Sequence, residues 1–536
     1  MSTLNSNQIA ALTIGIGITG ITLLSGFFNS KSKEYFTNNS TFFIKKWIYI
    51  TMILCVNVAG CVFVYYTQNL QIILFVILAL KSKDILMSLM FVVNMIYKGI
   101  FNRNQSLLPR QESTENIDKI LAFVPVHKES FEQLCKTVDS LIENKTGSHY
   151  VLTCIVSDGV NDYNTIFENV FDIQKRAYVS WDGSTVNTTV HYGVRNNKNL
   201  MLISKTQNKG KKDSIIMCND IFNYSRENMH ELTKIFRDVI SSDIVNVFGV
   251  SDFDYIFTTD SDTTVSDNTF VCLIDAIETR NAVASCGVVN VDFSSNQNYL
   301  FDSLQNYQYL YGQFLRRTNE DVFGQVLCLP GCISMFKIQE KSSDALELYS
   351  TNPNNGHLVE SSVQYIGTDR RYTSNLIYTN NEARIVLDTR CNAYTVPPSN
   401  FKSYVYQRKR WTQNTYFNTM INIIGPNVNI VSRLFNFIDY VRLSVIYFRL
   451  FNTIYFIYLL SSVQKTKELI QLTPYIVVLS WPIFCFLVYS LFNSHLRNQY
   501  FRLLVSLVIN KVFILFSTII IFSNMIFNLG KSSWSI

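Results

Sequence analysis

Two aspartates one residue apart, Asp260 and Asp262, close the stretch YIFTTDSDTT that runs from Tyr255 to Thr264. Carboxylates at that spacing, at the end of an apolar strand, can hold a divalent cation directly or through water. Mg2+ and Mn2+ favour such hard oxygen ligands and keep positions open for phosphate oxygens. A solvated acidic turn has the same sequence, so the pair needs context. Part of that context is NKGKKDS, where Lys209, Lys211 and Lys212 surround Gly210 and a helix opens near Asp213. Cations and free backbone N–H groups in such a turn suit a phosphate or an acidic nucleotide group, although a lysine turn also suits plain solvent. Asp158, in SDG, can accept hydrogen bonds from a nucleobase or ribose, or serve as an ordinary turn aspartate.

These clusters need elements to position them. Between about 115 and 395 short β-rich runs alternate with helical stretches: ILAFVPV (120–126), YVLTCIV (150–156), LMLIS (200–204), YIFTT (255–259) and AVASCGVV (282–289) read as buried strands of a mainly parallel sheet. Four of them end in HKES, SDG, KTQNKGKKDS and DSDT. In open α/β sheets ligands bind at the carboxyl ends of the strands, so several polar clusters at that edge outweigh any one of them.

The rest of the chain is apolar. Of 536 residues, 48% are hydrophobic and 16% charged, which is apolar for a soluble protein, and the excess concentrates near the two ends. Runs at about 9–28, 47–66, 70–97, 440–460, 475–491 and 503–527 approach the ~20 residues that span hydrocarbon. Lys31, Lys33, Lys45 and Lys46 follow the first run, and Lys98, Arg103 and Arg110 follow the third. By the positive-inside rule the centre is cytoplasmic, although Lys465 and Lys467 fall outside on this scheme. The break at KSKD (81–84) leaves two plus four spans open beside three plus three. A net charge of +6 suits basic cytoplasmic loops better than nucleic acid, so no nucleic-acid partner is expected. Eleven scattered cysteines and six histidines show no zinc spacing, and the thiols read as reduced and mostly buried.

In order along the chain, VPVHKES, SDG, NKGKKDS, DSDT, CLPGC (328–332), GTDRR (367–371) and QRKRW (407–411) resemble a processive family-2 glycosyltransferase, and within it a chitin synthase of the fungal and algal-virus type. The resemblance covers roughly 115–415. It implies an α/β GT-A-type nucleotide-sugar transferase domain over 115–395, embedded between multi-helix transmembrane regions at 1–100 and 431–536. Interfacial helices carrying QRKRW would occupy 396–430.

By the same resemblance, Asp260 and Asp262 would carry Mn2+ or Mg2+ and the nucleotide, Asp158 the uracil, and Lys212 would lie near the diphosphate, with Lys209 beside it. Pro125, Glu129, Cys332 and Arg370 would line the substrate site. Asp369 would take the proton from the acceptor hydroxyl as it attacks the anomeric carbon with inversion, a role that a carboxylate in a partly desolvated cleft can fill. Gln407, Arg410 and Trp411 would close over the site, the arginine facing diphosphate and the indole stacking on the acceptor sugar. FKSYVYQRKRW also suits an interfacial helix on composition alone.

The expected reaction transfers GlcNAc from UDP-GlcNAc to a growing chitin oligosaccharide, extruded across the plasma membrane by a multi-pass protein with a cytoplasmic catalytic domain. Membrane lipids would be partners, and a homo-oligomer stays open. Thr368 departs from the family's acidic residue before the catalytic aspartate, and Lys409 replaces its middle arginine. A hyaluronan synthase shares the main motifs and stays as the near rival. A transporter or channel with a nucleotide-binding domain is the rival of a different class, but it would show intramembrane charge pairs and internal repeats.

Overall fold

The computed structural model describes residues 40–67, 70–101, 117–159, 163–294, 298–352, 357–462 and 466–530. Two helices come first, α1 (Ser40–Thr67) and α2 (Leu70–Phe101). The central region then runs β1 (Lys119–Val126), α3 (Phe131–Ile142), β2 (Tyr150–Asp158), β3 (Asn169–Val179), β4 (Thr185–Arg195), β5 (Lys198–Lys205), α4 (Gly210–Phe222), α5 (Glu231–Phe248), β6 (Tyr255–Thr258) and β7 (Thr263–Val265). It continues with α6 (Thr269–Arg280), β8 (Ala284–Val291), α7 (Tyr299–Tyr311), which passes through a π-turn (Gly312–Arg317) into α8 (Thr318–Val322), and β9 (Ser334–Lys337). After α9 (Glu340–Ser350), α10 (Leu358–Gln364), α11 (Asp369–Thr379) and β10 (Ile385–Thr395) come the last helices: α12 (Phe401–Ile424), α13 (Ile430–Ser444), α14 (Ile446–Ser462), α15 (Thr466–Phe492), α16 (Ser494–Arg497) and α17 (Tyr500–Phe527).

All ten strands form one sheet in the order β3-β4-β5-β2-β1-β6-β9-β8-β10-β7. The pairings β5-β2, β2-β1, β1-β6 and β8-β10 are parallel, and only β4, β9 and β7 run against the common direction. The sheet is therefore mixed but mainly parallel in direction, as the apolar runs imply. β1 is buried along nearly its whole length, with Ile120, Leu121, Ala122 and Val124 at 0% exposure, which is why its sequence is a continuous apolar run. Each buried Ile, Leu or Val contributes about 1.5–3 kcal/mol.

This topology gathers the motifs. β1, β2, β5 and β6 end on one edge, so the loops after Val126, Asp158, Lys205 and Thr258 are neighbours there. β9 runs the other way, and its first residue, Ser334, pairs with Thr258; the CLPGC loop before it therefore lies at the same edge. β10 ends there too and leads into α12, capped where the Asn400 side chain accepts from the Ser403 amide at 2.9 Å.

The helical ends fit the membrane expectation in part. Among the described residues, α1 and the stretch Thr473–Phe492 are long and apolar enough to cross a membrane. Tyr500–Ile514 and Phe516–Phe527 would make a third span, bent by 52°. The run at 9–28, its lysines Lys31 and Lys33, and Arg103 and Arg110 lie outside the described residues. The 440–460 run is divided between α13 and α14 at Val445. KSKD does not interrupt α2. Lys83 and Asp84 are buried there because Lys83 pairs with Asp439, while Asp84 accepts from Arg316 at 2.7 Å and Arg442 at 2.9 Å. All eleven cysteines are free thiols.

Candidate active site

Each acidic residue of interest sits where a parallel strand or a helix begins or ends. Asp260 and Asp262 follow β6 directly, and Asp369 is the first residue of α11. Lys211, in the first turn of α4, lies between them: its Nζ is 2.5 Å from Asp260 Oδ1 and 3.6 Å from Asp369 Oδ1. One ammonium thus joins carboxylates supplied by different elements.

Electrostatics follow from that crowding. Burial alone would lower the Lys211 ammonium, but Asp260 and Asp369 outweigh it and hold its pKa above the ordinary value. Burial pushes the Asp369 carboxyl up, against the pull of Lys211. Asp262 is pushed up to about 7, by burial first and then by the carboxylates of Asp260 and Glu129. It accepts a hydrogen bond from the Thr263 hydroxyl at 3.2 Å.

The CLPGC loop forms the facing wall. The Gly331 amide donates to Asp369 Oδ2 at 3.2 Å, and the Thr259 hydroxyl holds the loop by donating to the Cys332 carbonyl at 3.0 Å. A Cβ on Gly331 would lie 2.6 Å from Lys211 Nζ and 2.7 Å from both Asp369 oxygens, so a larger residue there would push both side-chain tips out of this arrangement. Pro125, Lys211, Thr259, Gly331 and Asp369 line one cleft. The Cys332 thiol is buried beside it and pushed well up by that burial.

Above the cleft, α12 supplies the QRKRW side chains. Arg410 is surrounded by protein, and burial lowers its guanidinium against the opposing pull of Asp260 and Asp369. The Trp411 indole, 37% exposed, stacks on Tyr309 with ring centroids 6.1 Å apart and planes at 28°. The Arg408 guanidinium lies 4.4 Å over that indole. Gln407 accepts from the Gln305 amide at 2.7 Å, tying α12 to α7.

Other expected residues hold the edge rather than face the cleft. Asp158 accepts from the Lys209 and Gly210 amides at 2.9 and 2.6 Å, and from the fully buried Lys205 at 2.9 Å; its carboxylate anchors the turn into α4, where Gly210 has φ +85°. Lys209 Nζ reaches Asp182 at 2.9 Å. The Glu129 carboxylate accepts from the His127 and Lys128 amides at 2.9 and 3.0 Å, bracing its own loop while facing Asp262. Arg370, half-buried in the first turn of α11, is not bonded to the three aspartates among the described residues.

Lys212 turns away from the acids. Its Nζ donates to the Gln364 carbonyl at 2.7 Å and lies 4.1 Å from the Trp181 ring and 4.9 Å from that of Tyr349. Burial, with Arg371 nearby, drives this amine well below the ordinary lysine value. The lysine among the acids is Lys211. Tyr309, which no motif contains, also joins the site, as does Arg408, a residue of QRKRW to which the resemblance gives no role. The signal for Lys211 was in NKGKKDS itself; the helix rotates adjacent residues about 100° apart, so one lysine of the pair must face elsewhere.

The donor set suits a divalent cation. Asp260, Asp262 and Glu129 offer hard oxygens, and their mutual repulsion is the condition a bound cation relieves. Among the described residues no three acidic, histidine or cysteine side chains form a ready cage. The remaining ligands would come from water and phosphate, as Mg2+ and Mn2+ prefer.

A family model described as chitin synthase matches residues 162–525. Chitin synthase 8 of Gibberella zeae is 22% identical over 419 residues, which are 73% of this chain and 62% of that protein. Chitin synthase 8 of Verticillium dahliae is 24% identical over 370 residues, 60% of each. The chain spans about three fifths of the length of these relatives. Among solved structures, a mannosyltransferase from Pyrobaculum calidifontis in complex with GDP-Man and Mn2+ aligns over 81% of this chain and 99% of its own, at 11% identity and a TM-score of 0.38, too low to carry anything over.

Proposed function

The chain belongs to the chitin synthase family of glycosyltransferases, and on that footing we propose that it transfers GlcNAc from UDP-GlcNAc to the non-reducing end of a β-1,4 chain with inversion and extrudes the polymer through a membrane. The observation that carries this reading is the meeting of Asp260 and Asp369 on Lys211, with Asp262 alongside, at the carboxyl edge of the sheet.

Each group has work suited to its surroundings. Asp369, half-buried and raised, accepts the proton of the acceptor hydroxyl; the Gly331 amide and Lys211 fix its orientation. Lys211 and Arg410 bring positive charge to where a diphosphate leaving group would develop negative charge. Asp260 and Asp262 would hold Mn2+ or Mg2+, which supplies further charge neutralisation at the diphosphate. The Trp411–Tyr309 pair gives an aromatic floor on which the acceptor sugar can lie.

The family match favours chitin over hyaluronan. The pairs Lys83–Asp439 and Arg442–Asp84 among the apolar helices are a feature the transporter reading also expects, but a transporter with a nucleotide-binding domain would have no use for an acid oriented like Asp369. We also place the apolar helices in the plasma membrane with the transferase domain on the cytoplasmic face. Purified protein given UDP-GlcNAc alone with Mn2+ or Mg2+ should yield insoluble polymer that chitinase digests. A requirement for UDP-glucuronic acid, or a product that chitinase leaves intact, would reject the assignment.

A further inference from the structure

On α12, Tyr404, Arg408 and Trp411 fall at i, i+4 and i+7 and so share one face. That face meets α7. Gln305 donates to Gln407 at 2.7 Å, Gln308 to the Tyr404 hydroxyl at 3.5 Å, and Tyr309 stacks on Trp411. The Arg408 guanidinium lies in this seam, 4.4 Å from the Trp411 ring, 5.3 Å from that of Tyr404 and 5.9 Å from that of Tyr309. The negative faces of the rings stabilise its charge. They do nothing for its N–H groups: Nε and Nη2 are buried and, among the described residues, meet no hydrogen-bond partner. Idle buried donors are costly, and an acceptor oxygen carried in by a ligand removes that cost.

The surroundings say what kind of ligand. Trp411 is exposed, and Arg408 and Tyr309 are half-buried, so the seam has an open side. Flat rings there suit the apolar face of a pyranose. Because the two donors are buried among the rings, a hydroxyl fixed directly to the sugar ring stops short of them. Reaching them takes a short planar arm that ends in a carbonyl. The acetamido group on C2 of GlcNAc is such an arm, and its amide oxygen is a stronger acceptor than the hydroxyls around it.

We propose that Arg408 donates to the acetamido carbonyl of the acceptor sugar lying on Trp411 and thereby sets the class of acceptor: an N-acetylhexosamine chain, not a plain glucan or a uronate-bearing chain. The inference rests on the acceptor role proposed above for Trp411 and Tyr309, but its test needs no sugar transfer. A binding preference without polymer synthesis would reject the proposed activity and leave this site standing, and synthesis without the preference would do the reverse.

Calorimetric titration of the full chain in detergent with chitotetraose and with cellotetraose, which carries a hydroxyl in place of each acetamido group, reads the site. The wild type should bind chitotetraose at least about tenfold more tightly, the effect of one hydrogen bond to a charged group. Arg408→Met keeps a stem among the rings but has no donors, and its ratio should fall to about threefold or less, with cellotetraose and UDP affinities held. Arg408→Lys keeps the charge but loses the planar fork; it should unfold as the wild type does and give a ratio between the two, which keeps the test decisive if the Met variant misfolds. Equal binding of the two sugars by the wild type, or an unchanged ratio in either folded variant, would overturn the proposal. So would an equal loss of both sugars in Arg408→Met, which would make the arginine a support for the rings alone, or tighter binding of a glucuronate-containing tetrasaccharide than of chitotetraose.

Discussion

The Gly331 amide and the Asp369 carboxylate meet at 3.2 Å, and a methyl group on that α-carbon would stand 2.7 Å from both carboxylate oxygens, so they would have to move. Gly331→Ala should therefore displace Asp369 and Lys211 together. A shift of about 1 Å at a reacting group can cost roughly 10²-fold in rate, while overpacking costs about 1–3 kcal/mol of stability. Polymer synthesis should fall by about that factor with a modest drop in thermal unfolding temperature. Unchanged kcat would mean that the contact does not position the acid.

Lys211→Met removes the one ammonium shared by Asp260 and Asp369. Synthesis should drop by about 10²–10³, the usual loss when a preorganised charge donor is removed. The vacated Asp260 should also bind cations better, so Mn2+ should raise the unfolding temperature more in the variant than in the wild type. Equal Mn2+ shifts in the two proteins would count against a cation site at Asp260.

Lys212 gives a pH signature of its own. Its amine is depressed in the folded chain, by burial and then by Arg371, so on raising the pH the folded form loses this proton before the unfolded form does. Between that depressed value and the ordinary lysine value of about 10.4 the unfolded chain binds more protons, and stability rises with pH. Below the window both forms are charged and this contribution is flat. Thermal unfolding from neutral pH to about pH 10 should show a rise in the wild type that Lys212→Met lacks, and parallel curves would contradict the assignment.

Trp411 and Tyr309 should act on the acceptor rather than the donor. Trp411→Ala removes the stacking partner of Tyr309 and of the Arg408 guanidinium. An aromatic contact of about 0.5–1.5 kcal/mol corresponds to roughly threefold to tenfold in oligosaccharide affinity. Acceptor KM should rise by that factor, with UDP affinity held and Trp411→Phe largely restored. A change confined to UDP binding would place the indole elsewhere.

Much of the transferase region was legible because its central strands are buried on both faces. ILAFVPV and YVLTCIV could hardly be anything else, and the polar residues that end them had to share an edge once the strands ran parallel. The β3–β4 pair was not legible. β3 is largely exposed or half-buried, with Asp172, Lys175 and Arg176 along it, so no apolar run marks it. KSKD misleads for a different reason. The residues that bury Lys83 and Asp84 are Asp439, Arg316 and Arg442, more than two hundred positions away, and only the fold brings them there. Tyr309 lies in a tyrosine-rich helix whose spacing gives no hint of which ring meets Trp411.

The most direct test concerns the acids themselves. Asp262→Asn and Asp369→Asn, each assayed for polymer from UDP-GlcNAc alongside UDP binding and thermal unfolding, ask whether these carboxylates share one reaction. Asp369→Asn should lose at least about 10²–10⁴-fold in synthesis while still binding UDP and unfolding as the wild type does. Asp262→Asn should lose synthesis together with the metal response. Near-normal synthesis by either folded variant would contradict the account.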